Sequence, residues 1–160
     1  RKVYFPSVNR APEPEEAADP PAPARAGETV LIVEDEPTVR QLTRRALEGA
    51  GYRVVEAADS EAALSVVTAD GAAVNLVLTD VVMPGMNGKE LARRVQQLRP
   101  DLPVLFTSGY TDGEIARRGL LEASDPLLQK PYSPGSIVRF VREHLDAAGS
   151  LGSAAAADPA

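Results

Sequence analysis

Four short stretches hold the side chains that could do chemistry. They are the acidic run Glu34-Asp35-Glu36, Asp80 ahead of Val82, Pro84 and Gly85, the hydroxyl pair Thr107-Ser108 before Gly109, and Lys130-Pro131. Brought together, they would line a cleft with carboxylates, a hydroxyl and one ammonium group. Clustered carboxylates repel by roughly 4 kcal/mol per pair at ~4 Å and an effective dielectric of ~20. Raised pKa values or a bound cation relieve that repulsion. Oxygen ligands without His or Cys favour a hard cation, Mg²⁺ before zinc or copper. A carboxylate beside Mg²⁺, a lysine and a hydroxyl can serve as a nucleophile toward a phosphoryl group, because metal and lysine neutralise the charge that builds on the phosphoryl oxygens.

These residues can meet only if the fold aligns them, and the hydrophobic pattern supplies such a fold. Thr29–Val33 is a continuous apolar run, as in a strand buried on both faces. Pro37 suits the first turn of a helix, and Val39, Leu42, Thr43, Ala46 and Leu47 recur on a helical period, stopped by Gly49 or Gly51. Arg53–Ala57 reads as a second strand. A helix follows, capped by Asp59 or Ser60, with Ala62, Ala63, Val66 and Val67 inward. Val74–Thr79 is a third strand, Lys89–Leu98 a third helix ended by Pro100, and Leu102–Thr107 a fourth strand. The fourth helix, near Asp112–Glu122, is weakened by Gly113 and Gly119. Leu127–Gln129 is a short fifth strand, and Ser133–Leu145 a last helix with Ile137, Val138, Val141 and Leu145 on one face. Five strand–helix repeats predict an α/β fold: a doubly wound, five-stranded parallel sheet with helices on both faces. In such folds the site lies at the carboxyl ends of the strands, and the four stretches follow strands one, three, four and five.

Composition bounds the rest. The 160 residues suffice for one domain with a real core, and 44% are apolar. With 4% aromatics and no Trp, the core must be built from Val, Leu, Ile and Ala. A net charge of -6 argues against nucleic acid and anionic membrane surfaces as partners. The lack of Cys excludes thiolate catalysis, disulfides and zinc–thiolate sites. No apolar run approaches the ~18 residues of a membrane span and no secretory signal is visible, so a cytoplasmic location without direct membrane contact is expected. Residues 7–27 are dense in Pro, Ala and Glu and read as an extended linker. The Ala- and Gly-rich stretch 148–160 reads as a disordered tail. The opening RKVYFP is a short β-like patch, and a first residue other than Met points to a processed product or a piece of a longer chain.

Taken in order, VLIVEDE, LVLTDVVMPGMNG, VLFTSG and LQKP resemble the receiver family of response regulators over about Glu28 to Leu145. The resemblance implies the flavodoxin-like receiver fold over 28–147. It implies an Mg²⁺ site formed by Glu34, Asp35, Asp80 and the main-chain carbonyl of Val82. It makes Asp80 the phosphoacceptor, with Ser108 bonding the phosphoryl group, Lys130 contacting a phosphoryl oxygen, and Gly109 leaving access. It also implies a cis Lys130–Pro131 bond, and a histidine kinase or histidine phosphotransfer protein as partner of a monomeric domain. One position departs from the pattern: Leu127 stands where the family usually has a Tyr or Phe switch residue, and neither Tyr110 nor Tyr132 matches that slot. RKVYFP resembles the last strand of a histidine kinase ATP-binding domain. With the linker behind it, the order of parts suggests the C-terminal receiver of a hybrid histidine kinase.

Plainer readings stand beside these. Glu34-Asp35-Glu36 alone suits an acidic helix start, and Glu36 is left to that role. Asp80, Ser108 and Lys130 alone would pass for turn and loop residues. His144, the one histidine, is expected near a helix C-terminus, where the dipole favours it, and Met83 and Met86 are expected as loop packing. Three other functions compete. A pseudo-receiver would be an interaction module without phosphorylation, and the intact set of Asp80, Lys130 and the acidic pair argues against it. A haloacid-type phosphatase resembles a pattern with a second acid two residues after the nucleophile, where Val82 stands. A flavodoxin-like cofactor binder would bring a phosphate against Glu34 and Asp35.

Overall fold

The computed structural model describes residues 27–69 and 74–157; the RKVYFP patch and nearly all of the linker lie outside them. Five strands form one parallel sheet in the order β2-β1-β3-β4-β5. They are β1 (Thr29–Val33), β2 (Arg53–Ala57), β3 (Leu76–Asp80), β4 (Val104–Ser108) and β5 (Leu127–Gln129). The connecting helices are α1 (Pro37–Gly49), α2 (Ser60–Thr68), α3 (Gly88–Leu98), α4 (Asp112–Arg117) and α5 (Pro134–Ala157).

β1, β3 and β4 are buried along their whole length, which explains their unbroken apolar runs. Successive side chains leave a strand on opposite faces, so β1 feeds two cores. Leu31 and Val33 join Ala63, Val67, Leu91, Val95, Phe106 and Ile115 under α2, α3 and α4. Val30 and Ile32 join Leu47, Leu105, Ile137, Val141 and Leu145 under α1 and α5. Met83 belongs to the first core and Met86 packs against it.

Local chemistry sets the helix ends. Pro37 opens α1, where a missing N–H costs nothing. Asp59, rather than Ser60, caps α2 by accepting from Ala62 N at 2.8 Å. Ser60 instead donates to Met86 O at 3.0 Å and ties α2 to the loop after β3. Asn87 caps α3 through Glu90 N, and Thr111 with Glu114 forms a capping box on α4.

Several expected boundaries move. β3 and β4 each begin two residues later than the apolar runs suggest and end one residue later, so Asp80 and Ser108 are the final residues of their strands. α4 stops at Arg117 instead of near Glu122, because Gly119 takes a left-handed φ of 65° and turns the chain away. α5 runs past Leu145 to Ala157, into the stretch expected as a disordered tail; alanine is the strongest helix former and the sequence there is rich in it. His144 therefore sits within α5 and not near its end, its Nδ1 2.8 Å from Phe140 O. On α1, Thr43 and Leu47 face the core, but Leu42 is 60% exposed: the inward stripe is narrower than the periodicity suggests.

Two contacts fix how these elements meet. Arg142, 5% exposed on α5, donates twice to Glu28 just before β1, at 2.7 and 2.9 Å. Gly88 opens α3 directly on the chain that leaves β3: a Cβ there would lie 2.4 Å from Asp80 O. Removing Arg142 takes two charge-assisted bonds from a carboxylate that is only 15% exposed. Arg142→Leu is therefore expected to lower stability by roughly 3 kcal/mol in urea unfolding, and replacing Glu28 with Gln in the same chain should recover part of the loss. Gly88→Ala is expected to cost about 1–3 kcal/mol, since its obstacle is backbone that cannot rotate aside. Wild-type midpoints for either single variant would show that the contact carries no weight.

Candidate functional site

β1, β3, β4 and β5 all end on the same edge of the sheet, and each delivers one group there. Glu34 follows β1 directly. Its N–H donates to Ala57 O at 3.1 Å, which extends the sheet bonding by one residue and drives the carboxylate inward to 4% exposure. Asp80 ends β3 at 8% exposure, with Thr79 Oγ1 donating to its main-chain oxygen at 2.9 Å. Lys130, just past β5, donates its own N–H to Ser108 O at 2.7 Å, so β4 and β5 hold their end residues together. The Lys130–Pro131 peptide is cis.

The lysine side chain closes the arrangement. Lys130 Nζ donates to Glu34 Oε1 at 2.7 Å and to Asp80 Oδ2 at 3.1 Å. Glu34 Oε2 accepts from Glu36 N at 3.2 Å, and Asp80 Oδ1 from Val82 N at a long 3.4 Å. One oxygen from each of Glu34, Asp35 and Asp80 lies within 4.8 Å of the others. At that separation the buried Glu34–Asp80 pair repels by roughly 3–4 kcal/mol for an effective dielectric of 20. Burial pushes the Glu34 carboxyl above the usual range; the Lys130 bond opposes that push and the Asp80 charge adds to it. Burial alone would lower the Lys130 ammonium. The Glu34 bond and the Asp80 and Glu34 charges outweigh it and hold the lysine above its ordinary value. The ammonium is thus charged and shared between two anions.

Beside this bridge opens a cleft of about 340 Å³ lined by Glu36, Asp80, Val82, Ser108, Gly109, Tyr110 and Lys130. Ser108 Oγ accepts from Tyr110 N at 2.9 Å, which leaves its proton available to an acceptor in the cleft. The donor set at Glu34, Asp35 and Asp80 is all oxygen, and one member is buried with a raised pKa. A hard divalent cation answers both features, so the residues fit Mg²⁺.

Of the residues singled out from sequence, the structure brings Glu34, Asp35, Asp80 and Lys130 into one cluster and sets Val82, Ser108 and Gly109 on the wall of the adjoining cleft. Leu127 is half-buried against the core under α4. Sequence reasoning missed Glu36 and Tyr110 as cleft walls. It also missed the bond between Tyr132 OH and Thr43 Oγ1, 2.7 Å, which fastens the loop after Lys130 to α1. The position of Glu36 in an acidic run was a usable signal; nothing in the spacing of Thr43 and Tyr132 links them.

Comparison with known proteins agrees with this geometry. The family described as response regulator receiver domain matches residues 30–142. The sensor kinase CckA of Brucella abortus is 41% identical over 118 residues, covering 74% of this chain and 12% of that protein. The phosphate regulon transcriptional regulatory protein PhoB of Pseudomonas aeruginosa is 35% identical over 114 residues, covering 70% of this chain and 49% of that protein. The chain thus spans about half or less of these relatives. Among solved structures, the receiver domain of the hybrid histidine kinase CckA superposes with a TM-score of 0.61 at 33% identity, covering 73% of this chain and 98% of that one. A CheY-like receiver domain protein of Methanospirillum hungatei gives 0.67 at 29%, covering 77% and 97%. A parallel sheet in the order 2-1-3-4-5, acidic groups and a lysine at its carboxyl edge, and a family match over most of the chain place this protein in the response regulator receiver family of two-component signalling.

Proposed function

We propose that this domain takes a phosphoryl group from a phosphohistidine onto Asp80, with Glu34, Asp35, Asp80 and the main-chain carbonyl of Val82 holding Mg²⁺. The observation that carries the proposal is Lys130 Nζ bridging two buried carboxylates at the mouth of a cleft walled by Ser108. Bound Mg²⁺ would offset the carboxylate charge and the charge on the phosphoryl oxygens.

The residues divide the work. Asp80 Oδ1 has only a long bond from Val82 N and is the oxygen less committed to the protein. It attacks phosphorus in line; the phosphorus–nitrogen bond to the donor imidazole breaks and its electron pair leaves with the ring nitrogen. Lys130 leaves Glu34 for a phosphoryl oxygen, and Ser108 donates its hydroxyl proton to another. Gly109, without a side chain, keeps the approach open.

The likeness to CckA supports a further step of the same reading, in which this domain is the C-terminal receiver of a hybrid histidine kinase. Residues 1–6 then belong to a preceding kinase domain and 7–27 to a linker. Its partners would be a histidine kinase or histidine phosphotransfer protein, with onward transfer or hydrolysis of the phosphoryl group. Among the described residues no helix is long and apolar enough to cross a membrane. The second reading, a pseudo-receiver, is disfavoured because the acidic pair, Asp80, Ser108 and Lys130 stand together at one site, a set that an interaction module without phosphorylation does not need.

Incubation with acetyl phosphate and Mg²⁺ is expected to add the mass of one phosphoryl group in intact-protein spectra. A chelator or Asp80→Asn should abolish it; full labelling of that variant would move the acceptor elsewhere. The response should be graded, because Leu127 follows the site only by apolar repacking and α4 is short and glycine-bordered. Amide exchange with a beryllofluoride mimic should change mainly over residues 108–122 and little in α1 and α2. Equal change across the domain would contradict that reading.

A further inference from the structure

Arg40 lies one turn into α1, its side chain only 18% exposed. Its Nη1 donates to the main-chain oxygen of Glu34 at 2.7 Å, and its Nε to Glu56 Oε1 at 3.0 Å. The guanidinium thus joins the loop after β1 to the side chain of the next-to-last residue of β2. The oxygen it holds belongs to the peptide whose nitrogen is that of Asp35, so one bond limits the direction of both acidic side chains. The preceding peptide is pinned by Glu34 N–H on Ala57 O at 3.1 Å. Glu56 is bound in turn by Arg44, whose Nε also holds Glu48 at 3.0 Å. Burial raises the Glu56 carboxyl, but the bonds from Arg44 and Arg40 outweigh it and keep the group below the usual range.

An arginine this close to a cation site presents a difficulty: its charge should repel the cation. The geometry resolves it. Arg40 meets the acidic loop through a carbonyl oxygen and not a carboxylate, and its charge is balanced by Glu56 on the far side. Its two bonds go to Glu34 O and Glu56, so the guanidinium does not draw on the Glu34 or Asp35 carboxylates. Lysine would substitute only in part, because a point charge lacks the planar fork that aims one N–H at the main-chain oxygen and another at the Glu56 carboxylate.

We propose that Arg40 is a positioning residue for the Glu34–Asp35 pair, fixing the main chain that presents both carboxylates to a divalent cation, with Glu56 orienting Arg40 and cancelling its charge. This rests on the reading of Glu34, Asp35 and Asp80 as the cation site. Loss of groups that orient metal ligands weakens affinity by about 10–100-fold.

The test is direct metal binding to the full chain: Mg²⁺ by titration calorimetry, and Mn²⁺ by water-proton relaxation. Arg40→Gln is expected to weaken both by about 10-fold or more, Glu56→Gln to weaken both by less, and Arg40→Lys to fall between wild type and Arg40→Gln. In the acetyl phosphate assay the Mg²⁺ concentration for half-maximal labelling should rise by the same factor, with the rate at saturating Mg²⁺ keeping its wild-type value. Urea unfolding in chelator identifies any variant that has lost its fold, in which case Arg40→Lys carries the comparison. Wild-type metal affinity in Arg40→Gln, or a lower saturating rate with unchanged affinity, overturns the role of Arg40. Absence of binding by the wild-type chain overturns the cation reading instead.

Discussion

The Lys130 ammonium lies between two buried carboxylates, 2.7 Å from Glu34 and 3.1 Å from Asp80, and much of the carboxyl edge of the sheet is arranged around it. Burial disfavours a lone anion at Glu34, and repulsion from Asp80 adds to that cost. The lysine makes the cluster tolerable without neutralising it fully: two buried carboxylates and exposed Asp35 face one cation. A site left with surplus negative charge is poised for a second cation. In the proposed reaction, an arriving phosphoryl group would offer the same lysine another anionic partner.

The sheet makes this possible at low cost. Parallel strands present all their carboxyl ends on one edge, so residues 34, 80, 108 and 130 need no long loops to meet. The central strands β1 and β3 carry the two acids, and β4 and β5 carry the hydroxyl and the lysine. Rigidity comes from contacts beneath the site. Gly88 lets α3 start against the Asp80 carbonyl, where any side chain would push the end of β3 aside. Ser60 holds the loop after β3 to α2. The two cores on either face supply the apolar burial that holds the crowded polar cluster in place.

The order and type of all ten elements were legible in the sequence, because the apolar runs of β1, β3 and β4 and the helical spacing of Ile137, Val138, Val141 and Leu145 have one sensible packing. The ends were less so. Pro103 and Asn75 interrupt apolar runs that look continuous, since Pro103 has no N–H for the ladder and Asn75 turns its side chain to Thr29 N. Leu42 lies on the helical period yet faces solvent, while Thr43 and Leu47 are buried and Ala46 packs against the same core as Leu47. In the site, the strand-end residues could be found because fold and chemistry point to the same positions. Arg40, Gly88 and the Thr43–Tyr132 pair could not. They act through space on main-chain atoms or across 89 residues of chain, and neither kind of contact leaves a spacing pattern.

Those through-space contacts also determine which parts of the site are free to move. Glu34 is held at its N–H by Ala57, at its carbonyl by Arg40 and at its carboxylate by Glu36 N and Lys130. Asp80 is fixed by its ladder position and by Gly88 behind it. Ser108 and Lys130 are different. Their main chains share one bond, Lys130 N to Ser108 O at 2.7 Å, so the hydroxyl and the lysine are carried as a unit at the less covered end of the sheet. Beyond Ser108 the chain enters the short α4; beyond Lys130 it reaches Tyr132, whose hydroxyl is anchored on Thr43 of α1. A pull on Ser108 and Lys130 toward a group on Asp80 therefore meets a firm anchor on the α1 side and a soft one on the α4 side. On the proposed reading, displacement would go to the softer side, so the anchors around the site would give a charge change at Asp80 a direction even though Leu127 has no hydroxyl to gain or lose a bond.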